Sequence, residues 1–213
     1  MGTYRKGILG SFSGKVGTVV GSTWNGIDYM RSLPRPSGKA PTDLQLIQRV
    51  KLALATGFLR PISSLVNIGF KSQAVKQTGF NVATSLLITE AISGAYPDFS
   101  IEFEKVLISK GNLTGAWNVG ISSAVAGQLE VTWTNNSGSG TAKDTDKAVI
   151  LVYNEIQSQY VFTLDGADRQ SGTDVLNLPA DFAGDMVQVW IAFIAADKKT
   201  ISTSIHAGSV VIS

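Results

Sequence analysis

Short hydrophobic segments with a two-residue period fill the second half of the chain. After Gly94-Ala95-Tyr96-Pro97, the apolar residues Phe99, Ile101 and Phe103 alternate with polar neighbours, and later segments repeat the pattern. Successive side chains of a strand point to opposite faces, so this period predicts half-buried β-strands. The predicted strands are residues 99–108, 116–122, 127–134, 147–154, 158–164, 173–178, 185–195 and 200–212.

Clusters of turn-forming residues separate these strands. Strands of this length and spacing predict an antiparallel β-sandwich of the immunoglobulin or fibronectin type. Its expected core includes Phe103, Trp133, Val189 and Ile191. Because the chain has no cysteine, it lacks the disulfide of antibody domains, and only the sandwich architecture is predicted.

An Asn25-Gly26 dipeptide near the start of the chain predicts a β-hairpin. These two residue types accept the positive φ angles of a type I′ turn, whose twist matches that of paired strands. A two-residue turn pairs Trp24 with Ile27 and places Val20 and Tyr29 on the same face as that pair. An isolated hairpin is only marginally stable, so we expect this face to pack against another surface.

The segment before the hairpin, residues 1–13, has neither a helical nor a strand period. It combines glycines with apolar side chains that include Ile8, Leu9 and Phe12. Such a segment is too apolar for a free tail. We therefore expect an arm that lies in a groove of its own subunit or of a neighbouring subunit.

Short helices are expected between the hairpin and the predicted sandwich. Residues 33–41 contain three of the six prolines and predict an extended linker. Thr42 and Gln45 have the spacing of a capping box, and Pro61 ends the helix that follows near Leu59. Further helices are predicted at residues 62–70 and 80–92. The predicted fold class is α+β, mainly β, with an N-terminal arm, a β-hairpin and short helices before an antiparallel immunoglobulin/fibronectin-like β-sandwich.

The net charge of +2 conceals opposite charges on two parts of the chain. Residues 1–97 carry 11 basic against 3 acidic residues, a net charge of +8, and residues 98–213 carry 7 basic against 13 acidic residues, a net charge of −6. Charge and period together predict two domains with a boundary at 97/98. The asymmetry favours either an acidic partner or a head-to-tail contact between copies.

Catalytic chemistry finds little support in the sequence. The absence of cysteine and the single histidine exclude thiolate sites and multi-histidine metal sites. Gly14-Lys15 lacks the upstream glycine of a phosphate-binding loop, and Val16 stands where Ser or Thr would hold magnesium. His206 is distant from any nucleophile motif and is expected to face solvent. We predict a chain that is not an enzyme, with no catalytic residue and no cofactor.

Aspartates cluster in the predicted turns. Asp144 lies near Asp146, and Asp165 lies near Asp168 and Asp174. Aspartate is favoured in turns because its side chain accepts hydrogen bonds from backbone amides. A weak calcium site is the alternative interpretation, although the EF-hand glycine and terminal glutamate are missing.

Nucleic acid is a second candidate partner. Basic and aromatic side chains are interleaved along the first sixty residues, and such groups bind phosphates and stack on single strands. No known nucleic-acid-recognition motif is present, so a solvated or subunit-facing surface is the competing interpretation. The residues concerned are Tyr4, Arg5, Lys6, Phe12, Lys15, Trp24, Tyr29, Arg31, Arg35, Lys39, Arg49, Lys51 and Arg60.

No apolar run approaches the roughly 20 residues that span a bilayer, and residues 1–20 lack a signal-peptide core. The sequence therefore predicts a soluble protein without a membrane span. We expect it either in the cytoplasm or released as an extracellular assembly.

The segments Ser13–Trp24 and Tyr29–Pro34, followed by Thr42 and Gln48-Arg49 before an apolar helix, carry a family resemblance. This opening resembles that of an uncharacterised family of bacterial proteins from Bacteroidota, mainly over residues 13–65. The resemblance implies a bacterial source and carries over no activity or site residue.

Two functional hypotheses remain. The favoured one is a non-enzymatic structural protein that self-assembles head-to-tail into a filament, tube, ring or virion-like particle. The alternative is a basic module that binds nucleic acid or a cell-surface partner. The expected self-assembly interface comprises Ile8, Leu9, Phe12, Val19, Val20, Trp24 and Tyr29.

Overall fold

Antiparallel β-sheets dominate the chain, and three α-helices accompany them in its described part. The computed structural model describes residues 2–3, 12–24, 26–35, 38 and 40–213. The strands are β1 Gly2–Thr3, β2 Gly14–Val16, β3 Val19–Trp24, β4 Ile27–Ser32, β5 Ile92–Ala95, β6 Asp98–Ile101, β7 Trp117–Ser122, β8 Gln128–Thr134, β9 Lys147–Asn154, β10 Gln159–Thr163, β11 Thr173–Asn177, β12 Met186–Ile194 and β13 Ile205–Val211. The helices are α1 Asp43–Leu59, α2 Ser63–Gly69 and α3 Gly79–Leu86.

The chain divides into two compact units, residues 1–42 and residues 43–213. The first unit contains one sheet in the order β1-β4-β3-β2, which we call the N-terminal sheet. Its outer strands are very short, with two residues in β1 and three in β2. Such short strands bury little apolar surface.

The centre of the second unit is a four-stranded sheet in the order β10-β9-β12-β13. Both of its faces are covered along β12: Val189 and Ile191 belong to one buried cluster, and Trp190 and Ala192 belong to another. A strand that is buried on both faces has a continuous run of apolar residues, and the sequence of β12 is largely such a run.

The three helices cover one face of this sheet. Phe58 of α1 makes edge-to-face contacts with Tyr153, Tyr160 and Trp190, with ring centroids 5.2, 5.6 and 6.3 Å apart. Such ring pairs add to the stabilisation from buried apolar area. The helices and this sheet face therefore share one hydrophobic core.

A three-stranded sheet in the order β11-β8-β7 shares the other buried cluster. Leu129, Val131 and Trp133 of β8 face inward at every second position, as the period-two pattern predicts. The Trp133 ring packs edge-on against Phe193 with centroids 5.5 Å apart.

Local sequence signals account for the helix ends. The hydroxyl of Thr78 accepts a hydrogen bond from the backbone N–H of Asn81 and so caps the start of α3. Helix α1 ends at Leu59, two residues before Pro61, where the sequence predicts it to end. No single described helix is long and apolar enough to span a bilayer, although α1 and α2 pass that test together across a 94° bend.

Two predicted strands are wrong in extent. The strand expected at residues 99–108 ends at Ile101, because a 3₁₀ turn follows at Phe103–Lys105. The strand expected at 200–212 begins at Ile205, after isolated bridges at residues 201 and 202. Phe103 is half-buried and packs in the helix-side cluster, so its expected place among the core residues of the sandwich is also wrong.

The boundary that charge suggests at 97/98 lies inside a hairpin. Strands β5 and β6 pair across that position, with Ala95 opposite Asp98. The division between the compact units falls instead at 42/43, because the helices share their core with the sheet. Independent folding of residues 98–213 stays a prediction.

Candidate self-assembly interface

The hairpin of β3 and β4 has the register that its turn chemistry predicts. Trp24 lies opposite Ile27 and Val20 lies opposite Arg31, which confirms the two-residue turn. Gly26 has a φ of +75°, a value that glycine adopts without steric cost.

One face of the N-terminal sheet combines aromatic and basic side chains. Directly opposed residues share a face, so Val20, Trp24 and Tyr29 lie together with Ile27 and Arg31. Trp24 is 50% exposed and Ile27 is 45% exposed, although both are apolar. We call this surface the aromatic face.

The opposite face has a different character. Val19 lies opposite Val16 of β2 and is 37% exposed, and Val16 itself is 64% exposed. Phe12 is half-buried against Gly21, where its ring and carbonyl occupy the space that a Cβ would need. Residue 21 must therefore be glycine for Phe12 to lie there.

The N-terminal sheet has no hydrophobic core within the described residues. Gly21 is the only buried residue that the structure describes in residues 1–42. The buried apolar side chains of the described chain begin at Ala55, in the other unit. A sheet without a buried face gains little from the hydrophobic effect, which is the dominant favourable contribution to folding.

The charge of the first unit is strongly positive. Residues 1–42 contain six basic residues and one acidic residue, Asp28, which gives a net charge of +5. Asp28 accepts a hydrogen bond from the hydroxyl of Thr23. Lys15, Arg31 and Arg35 are exposed, and within the described residues none of them forms an ion pair.

The structure places the seven residues of the expected interface in different positions. The structure brings Val20, Trp24 and Tyr29 together on the aromatic face and places Phe12 and Val19 on the opposite side. Ile8 and Leu9 lie outside the described residues.

Three further residues, which sequence reasoning did not include in the expected interface, lie on the aromatic face. The edge strand β2 adds Lys15 opposite Val20, and β4 adds Ile27 and Arg31 to the same face. The sequence signal for β2 is Gly17, because a turn at this glycine permits a second hairpin before residue 19.

His206, the only histidine, is half-buried, so its expected exposure to solvent is wrong. Its Nε2 lies 2.8 Å from Oε1 of Gln188, and Nε2 of Gln188 donates to a carboxylate oxygen of Glu155. Burial lowers the pKa of His206, while the charge of Glu104 acts in the opposite direction. This partner set contains no nucleophile, so the geometry around His206 supports no hydrolytic triad.

The aspartates of the turn clusters serve mainly structural roles. Asp146 forms a buried ion pair with Arg169 at 3.1 Å, and Asp168 binds Lys147 at 2.9 Å. Asp174 accepts a backbone hydrogen bond from Ala167. No group of three or more acidic or histidine side chains within the described chain could hold a metal ion.

Arg169 is the structural residue that sequence analysis missed. Its side chain is fully buried, donates to Asn136 and to the carbonyl of Thr114, and stacks 3.8 Å above the Phe193 ring. Burial lowers the pKa of Arg169, and the neighbouring Asp146 carboxylate counters that effect. Nothing in the local pattern marks this arginine as buried, since its hydrogen-bond partners come from two other loops.

Comparison with known proteins places the chain in one family. The Family of unknown function (DUF6266) matches residues 11–208. No curated protein matches the chain. Among solved structures, the fn3 domain of human collagen alpha-1(XX) chain is similar at 13% identity, with 48% of this chain and 87% of that domain covered and a TM-score of 0.35. From the match over residues 11–208, the chain belongs to the DUF6266 family of unknown function.

Proposed function

We propose that this protein is a non-enzymatic structural protein that self-assembles head-to-tail through its N-terminal arm and hairpin. The observation that carries the proposal is that the N-terminal sheet has no hydrophobic core among the residues that the structure describes. Trp24 and Ile27 lie exposed side by side on the aromatic face of a sheet in which Gly21 is the only described buried residue, and Val16 is exposed on the opposite face. Contiguous exposed apolar side chains favour contact with a further surface.

Charge supports a contact between unlike surfaces. The first unit carries +5, whereas residues 98–213 carry −6. Two copies of the basic unit repel each other, but the basic unit of one copy attracts the acidic part of another. Contacts between unlike surfaces leave a free site at each end, so they close into rings or propagate into filaments.

We further propose that the two larger sheets of residues 98–213 form an immunoglobulin/fibronectin-like sandwich. The three-stranded and four-stranded sheets share one buried cluster that includes Val131, Trp133, Ile150 and Val189. Two antiparallel sheets with alternating inward-facing residues are the basis of such a sandwich. The proposed role of this part is to present a rigid acidic surface to the basic unit of another copy.

The test replaces the apolar residues of the aromatic face in the full chain. Trp24→Asp with Ile27→Asp should abolish self-association in sedimentation velocity, because aspartate at a buried contact loses apolar area and desolvates a charge. Ile156→Asp is the matched control, since Ile156 is 72% exposed and lies in the other unit. A full-length chain that stays monomeric at every concentration would refute the proposal.

The aromatic face also gives the alternative function a specific basis. Lys15 and Arg31 lie on the same face as Trp24 and Tyr29, and single-stranded nucleic acid binds to cations beside stacking platforms. If the protein is a self-assembling structural protein, any oligonucleotide binding comes from diffuse charge alone and should vanish as salt rises. Tight, salt-resistant binding of an oligonucleotide by a monomeric chain would favour this alternative.

A further inference from the structure

An open groove of about 940 Å³ runs beside β13, and we call it the edge groove. The 3₁₀ turn with Glu102 and Glu104 forms one side, and residues 204–209 form the other. Gln188 and His206, which contact each other, also line it.

The edge groove lies at the outer end of the four-stranded sheet. Gln188 of β12 lines it together with residues 204–209, so the groove lies over the β12–β13 pair. Strand β13 is the last strand of its sheet and pairs only with β12 in the described chain. Backbone groups on the other edge of such a strand are available for another strand.

The charge of the edge groove is negative. Its charged lining residues, Glu102 and Glu104, are both acidic, and no lysine or arginine lines it. Glu102 is paired with Lys105, whereas Glu104 is exposed and forms no ion pair within the described residues. Apolar walls from Phe103, Leu107 and Ile205 flank these carboxylates. The groove therefore fits a cationic strand that also carries apolar side chains.

The N-terminal sheet presents such a strand at its edge. Lys15 of β2, Val20 of β3 and Arg31 of β4 lie in one row across the sheet. Among the described residues, β2 is the outermost strand of the N-terminal sheet, as β13 is of its own sheet. Val16 beside Lys15 supplies the exposed apolar side chain.

We propose that the edge groove of one copy receives β2 of a second copy, with Lys15 and Arg31 facing Glu104. This inference rests on the proposed function and names the receiving surface for its head-to-tail contact. Strand addition would extend the four-stranded sheet of one copy into the N-terminal sheet of the next. Main-chain hydrogen bonds give such a contact affinity, and the opposed charges fix its direction.

Charge reversal in the full chain tests the pairing. Glu104→Lys in one variant, and Lys15→Glu with Arg31→Glu in another, should each weaken self-association by about tenfold or more, because like charges then face each other. An equimolar mixture of the two variants should assemble again, since each basic surface then meets an acidic one. Sedimentation velocity measures all three samples. Asp181→Lys and Lys71→Glu are the matched controls, because both residues are exposed and lie outside the edge groove.

The outcomes separate this inference from the proposed function. The full chain could assemble in a way that the Trp24→Asp with Ile27→Asp variant abolishes, while Glu104→Lys assembles like the Asp181→Lys control. In that case the edge groove is not the receiving surface, but the proposed self-assembly is supported. If each charge variant loses assembly and the mixture does not recover it, the pairing of Glu104 with Lys15 and Arg31 is refuted. If the full chain is monomeric, both proposals fail. Circular dichroism of each variant confirms that it is folded.

Discussion

At the residue scale, buried polar groups hold the loops of the second unit together. Arg169 links Asp146, Asn136 and the carbonyl of Thr114, and its own carbonyl accepts a hydrogen bond from the indole N–H of Trp133. A buried charge is tolerated only when it is paired and hydrogen-bonded. These residues come from three segments that are far apart in the sequence, around residues 114, 136–146 and 169, so no local pattern could predict this network.

Trp133→Ala should lower the free energy of unfolding by about 3–5 kcal/mol, as the truncation of large aromatic side chains in cores does. Trp133 is buried, packs against Phe193 and donates to the carbonyl of Arg169. Trp117→Ala is the control, because Trp117 is 49% exposed. Urea denaturation measures both variants, and equal losses from the two would contradict the assigned core.

The stability of the protein should fall between pH 7.5 and pH 5.5 in a way that depends on His206. Burial lowers the pKa of His206 below its ordinary value of 6.5. The unfolded chain then binds a proton at a higher pH than the folded chain does. The contribution of His206 to the free energy of unfolding is complete above pH 6.5 and is lost as the pH falls through the pKa of His206 in the folded chain.

Urea denaturation at the two pH values, in the parent chain and in His206→Gln, isolates this contribution. Both pH values lie above the ordinary carboxyl range, so acidic residues contribute little to the difference. The decrease should be smaller in the variant. An identical pH dependence in both proteins would contradict the assigned environment of His206.

At the scale of elements, local signals predict hairpins and helices well. The Asn25-Gly26 turn predicts the register of β3 and β4, and Pro61 predicts the end of α1. The sequence does not predict strand β5, because its four residues, Ile92–Ala95, follow directly on a π-helical turn at Leu87–Ala91 and have no alternating period of their own. The extent of the strand at residues 99–108 was also wrong, since the turn at residues 103–105 depends on contacts with the sheet.

Strand β12 shows why a two-residue period is insufficient to locate a domain boundary. The alternation of Val187, Val189 and Ile191 predicts one buried face. Trp190 and Ala192 between them are also buried, under the helices. A continuous apolar run indicates cover on both faces, but the identity of the covering element is a tertiary property.

Residues 43–213 should therefore fold as one cooperative unit. In contrast, residues 98–213 alone would lose the helices that cover Leu151 and Trp190, together with β5. We expect the shorter fragment to melt at a lower temperature and to bind a hydrophobic dye, because it exposes this sheet face. Thermal denaturation by circular dichroism compares the two. Equal melting temperatures would support instead the boundary at 97/98 that the charge pattern suggests.

At the scale of the whole molecule, charge and apolar exposure have complementary roles. The basic unit lacks a described core, and the acidic part offers an open strand edge beside Glu104. The charge asymmetry can be read from the sequence alone, as can the aromatic face of the hairpin. The edge groove cannot, because its two sides come from residues about one hundred positions apart.

Electron microscopy of the purified full-length protein tests the central claim most directly. Head-to-tail contacts between unlike surfaces predict rings or filaments in which every subunit makes the same two contacts. In a resolved assembly, the N-terminal sheet of each copy should lie against the next copy. Isolated monomers, or closed two-fold dimers in which Trp24 and Ile27 remain exposed, would contradict the account.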